Sequence, residues 1–249
     1  MNTVKLFAVA EHVVTNKPAA TRRTAKSAAP RDGYHHGALR EALIESSEAL
    51  LAERGFEGFS LREVARRSGV SSAAPAHHFG DADGLLAAVA TLAFDGLTAA
   101  LEAGNLRGGT DPVVRLREQG VGYVDFALRY PGRFATMFRR GLRKVPALEH
   151  SAHTAFMTLE CGVRDLYGLD STVQLAPAHW HALMAVWSVV HGFANLTLAG
   201  QFQRFTPPGG QAALLREILG PLLDAQLRAL TVPPIKLRAV SKARAPLRP

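Results

Sequence analysis

The chain has 249 residues, a formal net charge of +8 and 47% hydrophobic side chains, enough apolar material for a folded core. Its single cysteine, Cys161, excludes an intrachain disulfide and a cysteine-rich zinc site and matches a reducing, cytoplasmic setting. No run of about 18 uncharged apolar residues reads as a membrane span, and the apolar part of "KLFAVAEHVV", broken by Glu11 and His12, is too short for a secretion signal.

The charge is uneven. Residues 1–40 carry +5, residues 41–100 carry −5, residues 101–231 carry +3 and residues 232–249 carry +5. Two basic ends therefore flank an acidic block. Such ends suggest contact with a polyanion; they also read as plain solvated tails. Residues 1–33, with "TNKPAATRRTAKSAAPRDG", show no apolar periodicity and read as a flexible basic arm.

From there the pattern is helical throughout. A first helix is expected from about Ala38 to Arg54, with Leu39, Ala42, Leu43, Ser46, Leu50 and Leu51 on one stripe and Gly55 as its stop. In "SLRE", Ser60 can cap the next helix and Glu63 can reach back, a capping box. Leu61, Val64 and Ala65 then face inward and Arg66 and Arg67 outward. Gly69 supplies a left-handed turn and Val70 plugs it. Ser71 is expected to cap a third helix, Ser72 to about Phe79. Asp81 caps a fourth, which starts near Ala82 and carries Leu85, Leu86, Val89, Leu92 and Leu97. Two short helices joined by a glycine-containing turn form a helix-turn-helix, although an ordinary helical hairpin has the same spacing.

The remainder reads as further helices: one after "GGTDP" running to about Tyr130, a short aromatic one after Pro131–Gly132, one from Pro146 to about Tyr167, a long apolar one from about Pro177 to Ala199, and a last from about Gln211 to Leu230. The last places Leu214, Leu215, Ile218, Leu222, Leu223 and Leu227 on one side. Pro233–Pro234 ends the fold, and residues 232–249 form a basic disordered tail. No period-2 strand and no fixed repeat occurs, so the expected class is all-α. The expected domains are 34–90, the helix-turn-helix head, and 91–231, a helical ligand-binding and dimerisation body.

No catalytic signature is present: there is no HExxH, GxSxG, P-loop or GxGxxG. The histidine pairs His35–His36, His77–His78 and His179–His181 point to different helix faces, so neither a metal site nor a cofactor is expected.

The stretch "YHHGALREALIESSEALLAERGFEGFSLREVARRSGVSSAAPAHHFGDADGLLAAV", from Tyr34 to about Val89, resembles without a gap the N-terminal domain of TetR-type transcriptional repressors. "YPGRFATMF" and "WSVVHGFANL" are similar to a subgroup of that family with a Trp…His-Gly signature in the C-terminal domain. The resemblance implies a homodimeric regulator, by family default a repressor, whose heads bind double-stranded DNA at a near-palindromic operator. A small molecule, here apolar or aromatic, enters the body and releases the DNA.

Two positions depart from the pattern. Ala76 stands where the family commonly has a Tyr, and Ala82 where it often has a Lys; both usual groups contact phosphate. The compensating charges are expected in the arm, at Arg22, Arg23, Lys26 and Arg31, and at His35, His36 and Arg40. Base reading is expected from Ser71, Ser72, Ala73 and His77, with His78 packed or on phosphate and Phe79 in the core. A head that has lost its grip, leaving a ligand-binding protein without DNA activity, stays open.

For the effector pocket the candidates are Phe126, Phe134, Met137, Phe138, Phe156, Trp187 and His191, each of which also reads as core packing. Trp187 and His191 share a helix face, and His191 bonds either a ligand or a buried backbone carbonyl. Gly192 suggests close helix packing. The last two helices are the expected dimer surface, as a four-helix bundle, unless their stripes face only their own core. "RRGLRK", Arg139 to Lys144, reads as a solvated loop.

Overall fold

The computed structural model describes residues 32–142 and 145–231, with side chains described from Ala38 onward. The basic arm with Arg22, Arg23, Lys26 and Arg31, the tail 232–249, Arg143 and Lys144, and the side chains of His35 and His36 lie outside the described residues. Among the described residues all regular structure is helical: α1 (Asp32–Arg54), α2 (Leu61–Arg67), α3 (Ala74–Phe79), α4 (Ala82–Arg107), α5 (Pro112–Arg129), α6 (Pro131–Met137), α7 (Pro146–Leu166) and α8 (Pro177–Leu198). A short 3-10 turn (Gln203–Phe205) precedes a run without a break: α9 (Gly210–Ala213), a π-helical segment (Leu214–Leu219) and α10 (Gly220–Thr231).

The starts follow from local chemistry. Proline occupies the first turn of α5, α6, α7 and α8, where its missing N–H and fixed φ do no harm. Asp111 caps α5 by accepting from the N–H groups of Val113 and Val114, and Asp81 caps α4 by accepting from Gly84 N–H at 2.8 Å.

The head is built from α1, α2, α3 and the first turns of α4 around Leu43, Ile44, Leu50, Val64, Leu85 and Val89, with Phe59, Val70 and Phe79 packed at its edge. Gly69, at φ +67°, makes the turn between α2 and α3.

Four local expectations are corrected here. Helix α1 begins at Asp32, six residues before Ala38, because no proline after Pro30 stops the helix from propagating through Gly33 and Gly37. Ser60 Oγ does accept from Glu63 N–H, at 3.3 Å, but the Glu63 carboxylate does not reach back. It accepts instead from Arg66 and Arg67, and so Arg67 lies against Glu53 and Glu63 rather than facing out. Ser71 caps nothing with its side chain: α3 starts at Ala74, where Pro75 fits the first turn, and residues 72–73 form a turn.

The body packs α4 through α10 around two further clusters. One joins Phe94, Leu97 and Leu101 of α4 to Tyr123 and Phe126 of α5, Phe134 of α6, Phe193 of α8 and Leu214, Leu219 and Leu223. The other joins Leu116, Val163, Leu183, Val186 and Leu227. Helices α4 and α5 cross closely, because a Cβ at Gly104 would overlap the Glu118 carbonyl and one at Gly122 the Ala100 carbonyl. Helix α4 is also long and apolar enough to cross a membrane, and half of that stretch is buried inside the fold.

The expected uniform last helix is corrected too. Leu215, Leu219, Leu223 and Leu227 recur at steps of four and are buried, while Ile218 and Leu222 are exposed. A regular α-helix would let steps of four drift off the core face; the wider π turn holds them inward.

Gly122→Ala should lower the thermal unfolding midpoint. Overpacking against a backbone carbonyl costs about 1–3 kcal/mol, more than the gain in helix propensity of ~1 kcal/mol. An unchanged or higher midpoint in a thermal melt would mean that the crossing is looser than described.

Candidate functional site

One face of the head collects polar and basic side chains. Ser71, Ser72 and Ala73, in the turn before α3, and Ala76 and His77 on α3 are exposed. His78 is half-buried, with its ring against His77 and Phe79. Across a shallow recess from Ser72 stand Ser60, Arg62 and Arg66 of the α2 region. Two arginines of this region are partly neutralised: Glu63 holds Arg66 at 2.7 Å and Arg67 at 3.1 Å. Those hydrogen bonds, Arg66 first, lower the Glu63 carboxyl to about 2. Arg62 is exposed and has no ion pair among the described residues. The Arg40 guanidinium lies 5.3 Å over the Phe79 ring, which brings α1 beside the end of α3.

The body holds a small cavity, about 40 Å³, between α4, α5, α7 and α8. Its wall is almost wholly apolar and includes Phe94, Leu97, Phe138, Phe156, Val186 and Trp187. Besides the Trp187 indole N–H, two polar side chains reach it. Gln119 is fully buried; its Nε2 donates to the Thr158 carbonyl at 2.9 Å, and its Oε1 has no hydrogen-bond partner. The Tyr123 hydroxyl is 2.9 Å from His191 Nδ1. Burial pushes the Tyr123 phenol up, opposed by a hydrogen bond from Trp187, and burial holds the His191 imidazole below its ordinary value. Both are therefore neutral near pH 7, and the pair is a neutral hydrogen bond. Around His191 stand the rings of Phe134 at 5.5 Å, Phe138 at 4.6 Å and Trp187 at 6.5 Å.

Head and body touch through α1 and α6. Arg133 of α6 donates to Glu48 of α1 at 2.6 Å. Gly132 lies so close to the Glu48 carbonyl that a Cβ there would overlap it. The Arg139 guanidinium sits 4.6 Å over the Phe56 ring.

Two family models match this chain. The one described as "Bacterial regulatory proteins, tetR family" covers residues 43–89, and the one described as "Tetracyclin repressor-like, C-terminal domain" covers residues 116–222. The chain belongs to the TetR family of transcriptional regulators. Solved structures are similar over most of its length. A Rhodococcus protein described as having unknown function is 29% identical, with a TM-score of 0.63 over 79% of this chain and 97% of its own. A Rhodococcus transcriptional regulator is 26% identical, with a TM-score of 0.56 over 77% of this chain and 95% of its own. A TetR-family regulator of Thermus thermophilus, 24% identical at a TM-score of 0.55 over 76% and 95%, shares the fold. Among curated proteins nothing matches.

On this TetR-family frame the sequence-derived residues separate. Arg40, Ser71, Ser72, Ala73 and His77 lie on the exposed side of the head. Phe138, Phe156 and Trp187 line the cavity, whereas Phe126, Phe134 and Met137 are core residues off its wall. His191 bonds the Tyr123 hydroxyl, not a backbone carbonyl, because its ring points from α8 across to α5. Arg139 rests on Phe56 and is not a plain solvated residue. Sequence reasoning missed Arg62, Gln119 and Tyr123. Arg62 was within reach: with Leu61, Val64 and Ala65 inward, positions 62 and 66 must share the outer face of α2. Gln119 carried no signal, since a glutamine between Glu118 and Gly120 reads as surface.

The lowered His191 pKa has a definite sign. The folded chain binds a proton there less tightly than the unfolded chain, so the stability tied to neutral His191 is complete above the ordinary histidine range. It is lost as pH falls through that range. The unfolding midpoint should fall between about pH 7.5 and about pH 5.5, and His191→Gln should flatten that slope. Parallel slopes for the two proteins would rule out this contribution.

Proposed function

We propose that this protein is a homodimeric transcriptional repressor that binds a near-palindromic operator in the cytoplasm and is released from it by a neutral small molecule. The observation that carries the reading is the join between cavity and head. Phe138 lines the cavity at the end of α6, and α6 lies against α1 through Gly132 and the Arg133–Glu48 ion pair. A molecule that displaces Phe138 therefore pushes on an element seated against the head.

The division of labour proposed is a head at 34–90 and a body at 91–231. Ser71, Ser72, Ala73 and His77 face the bases, and Arg40 and His78 lie toward the backbone. Arg62 and Arg66 take up phosphate contacts that Ala76 and Ala82 do not make, and the arm residues Arg22, Arg23, His35 and His36 add to them. Support for Arg62 comes from its exposure and its lack of an ion pair among the described residues.

Support for the dimer comes from α8, the π-helical segment and α10. Leu196 is 46% exposed, Ile218 40% and Leu222 44%, while Gly192 on α8 has no atom near the position of a Cβ. An apolar stripe with a glycine facing open space suits close approach by a partner helix.

The deciding experiment is to expose purified protein to sheared DNA of its own host, sequence what is retained, and repeat at higher salt. A few sites sharing an inverted repeat are expected. DNA without a shared motif, lost with salt, would overturn the reading and leave a ligand-binding protein with basic ends.

Two variants test the parts. Arg62→Ala should weaken retention of every site alike and reduce the salt slope by about one phosphate contact; an unchanged slope would remove Arg62 from the interface. Gly192→Leu should leave the helical circular dichroism intact, because its surroundings are open, yet convert dimer to monomer in sedimentation. A dimer as tight as the parent would place the seam elsewhere.

A further inference from the structure

The cavity specifies more than apolar bulk. No charged side chain lines it, and its polar side-chain groups are the Gln119 amide, the Tyr123 hydroxyl and the Trp187 indole N–H. The orientation of the Gln119 amide is set by its neighbour: the Thr158 carbonyl is an acceptor, so the group 2.9 Å from it must be the NH2, and Oε1 is left as an acceptor without a partner. The Tyr123 hydroxyl is already engaged with His191, and the Trp187 hydrogen bond falls on the same oxygen. Gln119 Oε1, set beside Gly162 of α7, is thus a buried acceptor without a partner among the described residues, on a side chain of the cavity wall.

We propose that the cavity takes a neutral, predominantly apolar molecule carrying a hydroxyl or an N–H, whose hydrogen is given to Oε1 of Gln119. This rests on the reading of the cavity as the effector site. An ion entering the cavity would lose its hydration with no counter-charge on the wall. A pure hydrocarbon would leave the buried acceptor unpaired. A donor on an apolar frame meets both conditions. The free space of about 40 Å³ is far smaller than such a molecule, so the molecule makes its own room. The ring most free to yield is Phe138, 39% exposed and at the end of α6.

The test uses the full chain and three probes of one shape: para-hexylphenol, para-hexylanisole and para-hexylbenzoate. Binding is read from tryptophan fluorescence, since Trp187 lines the cavity. The phenol should bind about tenfold more tightly than its methyl ether, and the carboxylate should not bind. Gln119→Leu and, as a second apolar replacement, Gln119→Met should bind phenol and ether equally while keeping the affinity for the ether. Equal binding of phenol and ether by the parent protein, a phenol preference that survives both replacements, or binding of none of the probes would each overturn the assignment. Retention of operator DNA, measured alongside, separates the two claims. A Gln119-dependent phenol preference with no loss of DNA upholds the cavity chemistry and defeats effector release. Release of DNA by phenol and ether alike does the reverse.

Discussion

Helix α4 has to satisfy two cores at once, and the rest of the molecule is arranged around that demand. Leu85 and Val89 complete the head, while Phe94, Leu97 and Leu101 belong to the body. Its three glycines would weaken an exposed helix by ~1 kcal/mol each, yet each stands where another element touches. A Cβ at Gly84 would overlap the Phe79 carbonyl at the end of α3, one at Gly96 would press on the Phe126 ring, and one at Gly104 would overlap the Glu118 carbonyl. The helix therefore trades propensity for three close approaches, one to the head and two to α5. Asp81 caps it at the corner where α3 ends.

A second link makes the arrangement a closed loop of contacts. Helix α6 hangs from α5 at Tyr130, packs Phe134 into the body core and reaches α1 through Gly132 and Arg133, while Arg139 just beyond it lies over Phe56 just after α1. The head is consequently held at two places, by continuity through α4 and by contact through α6. The pairing of Arg133 with Glu48 is short and only partly exposed, so it is less screened by salt than the Arg66–Glu63 pair on the outer face of α2.

Much of this is legible in the sequence, for identifiable reasons. Prolines 112, 131, 146 and 177 open helices because their backbone restriction is local, and Gly69 and Asp81 punctuate the head for the same reason. Inward positions on α2 and α4 follow from a 3.6-residue period. What escaped depends on partners far along the chain. Glu63 had a plausible local bond to its own helix start and instead serves Arg66 and Arg67, with Arg67 also tied to Glu53 of α1. Of the aromatic residues between α5 and α8, periodicity shows which face inward but not which border empty space; hence Phe126 and Phe138 look alike in the sequence and differ in the fold. The π segment was invisible because Leu214, Leu215, Ile218, Leu222 and Leu223 form a good α stripe on paper, and only packing against α5 and α8 decides that Ile218 and Leu222 face out.

The unbroken length of α4 also has a mechanical meaning. From the tight crossing at Gly104 to its start at Ala82, the helix is a lever of about 33 Å at 1.5 Å per residue. A tilt of about 5° at that crossing carries the capped end, and α3 with it, through roughly 3 Å. That displacement is as long as a hydrogen bond. In the two-fold pair proposed above the two heads would move in opposite senses, so their separation would change by about twice as much, against a groove repeat of about 34 Å. For the dimer proposed above, a rotation of a few degrees at the α4–α5 crossing would thus shift both heads by more than the length of a contact to DNA.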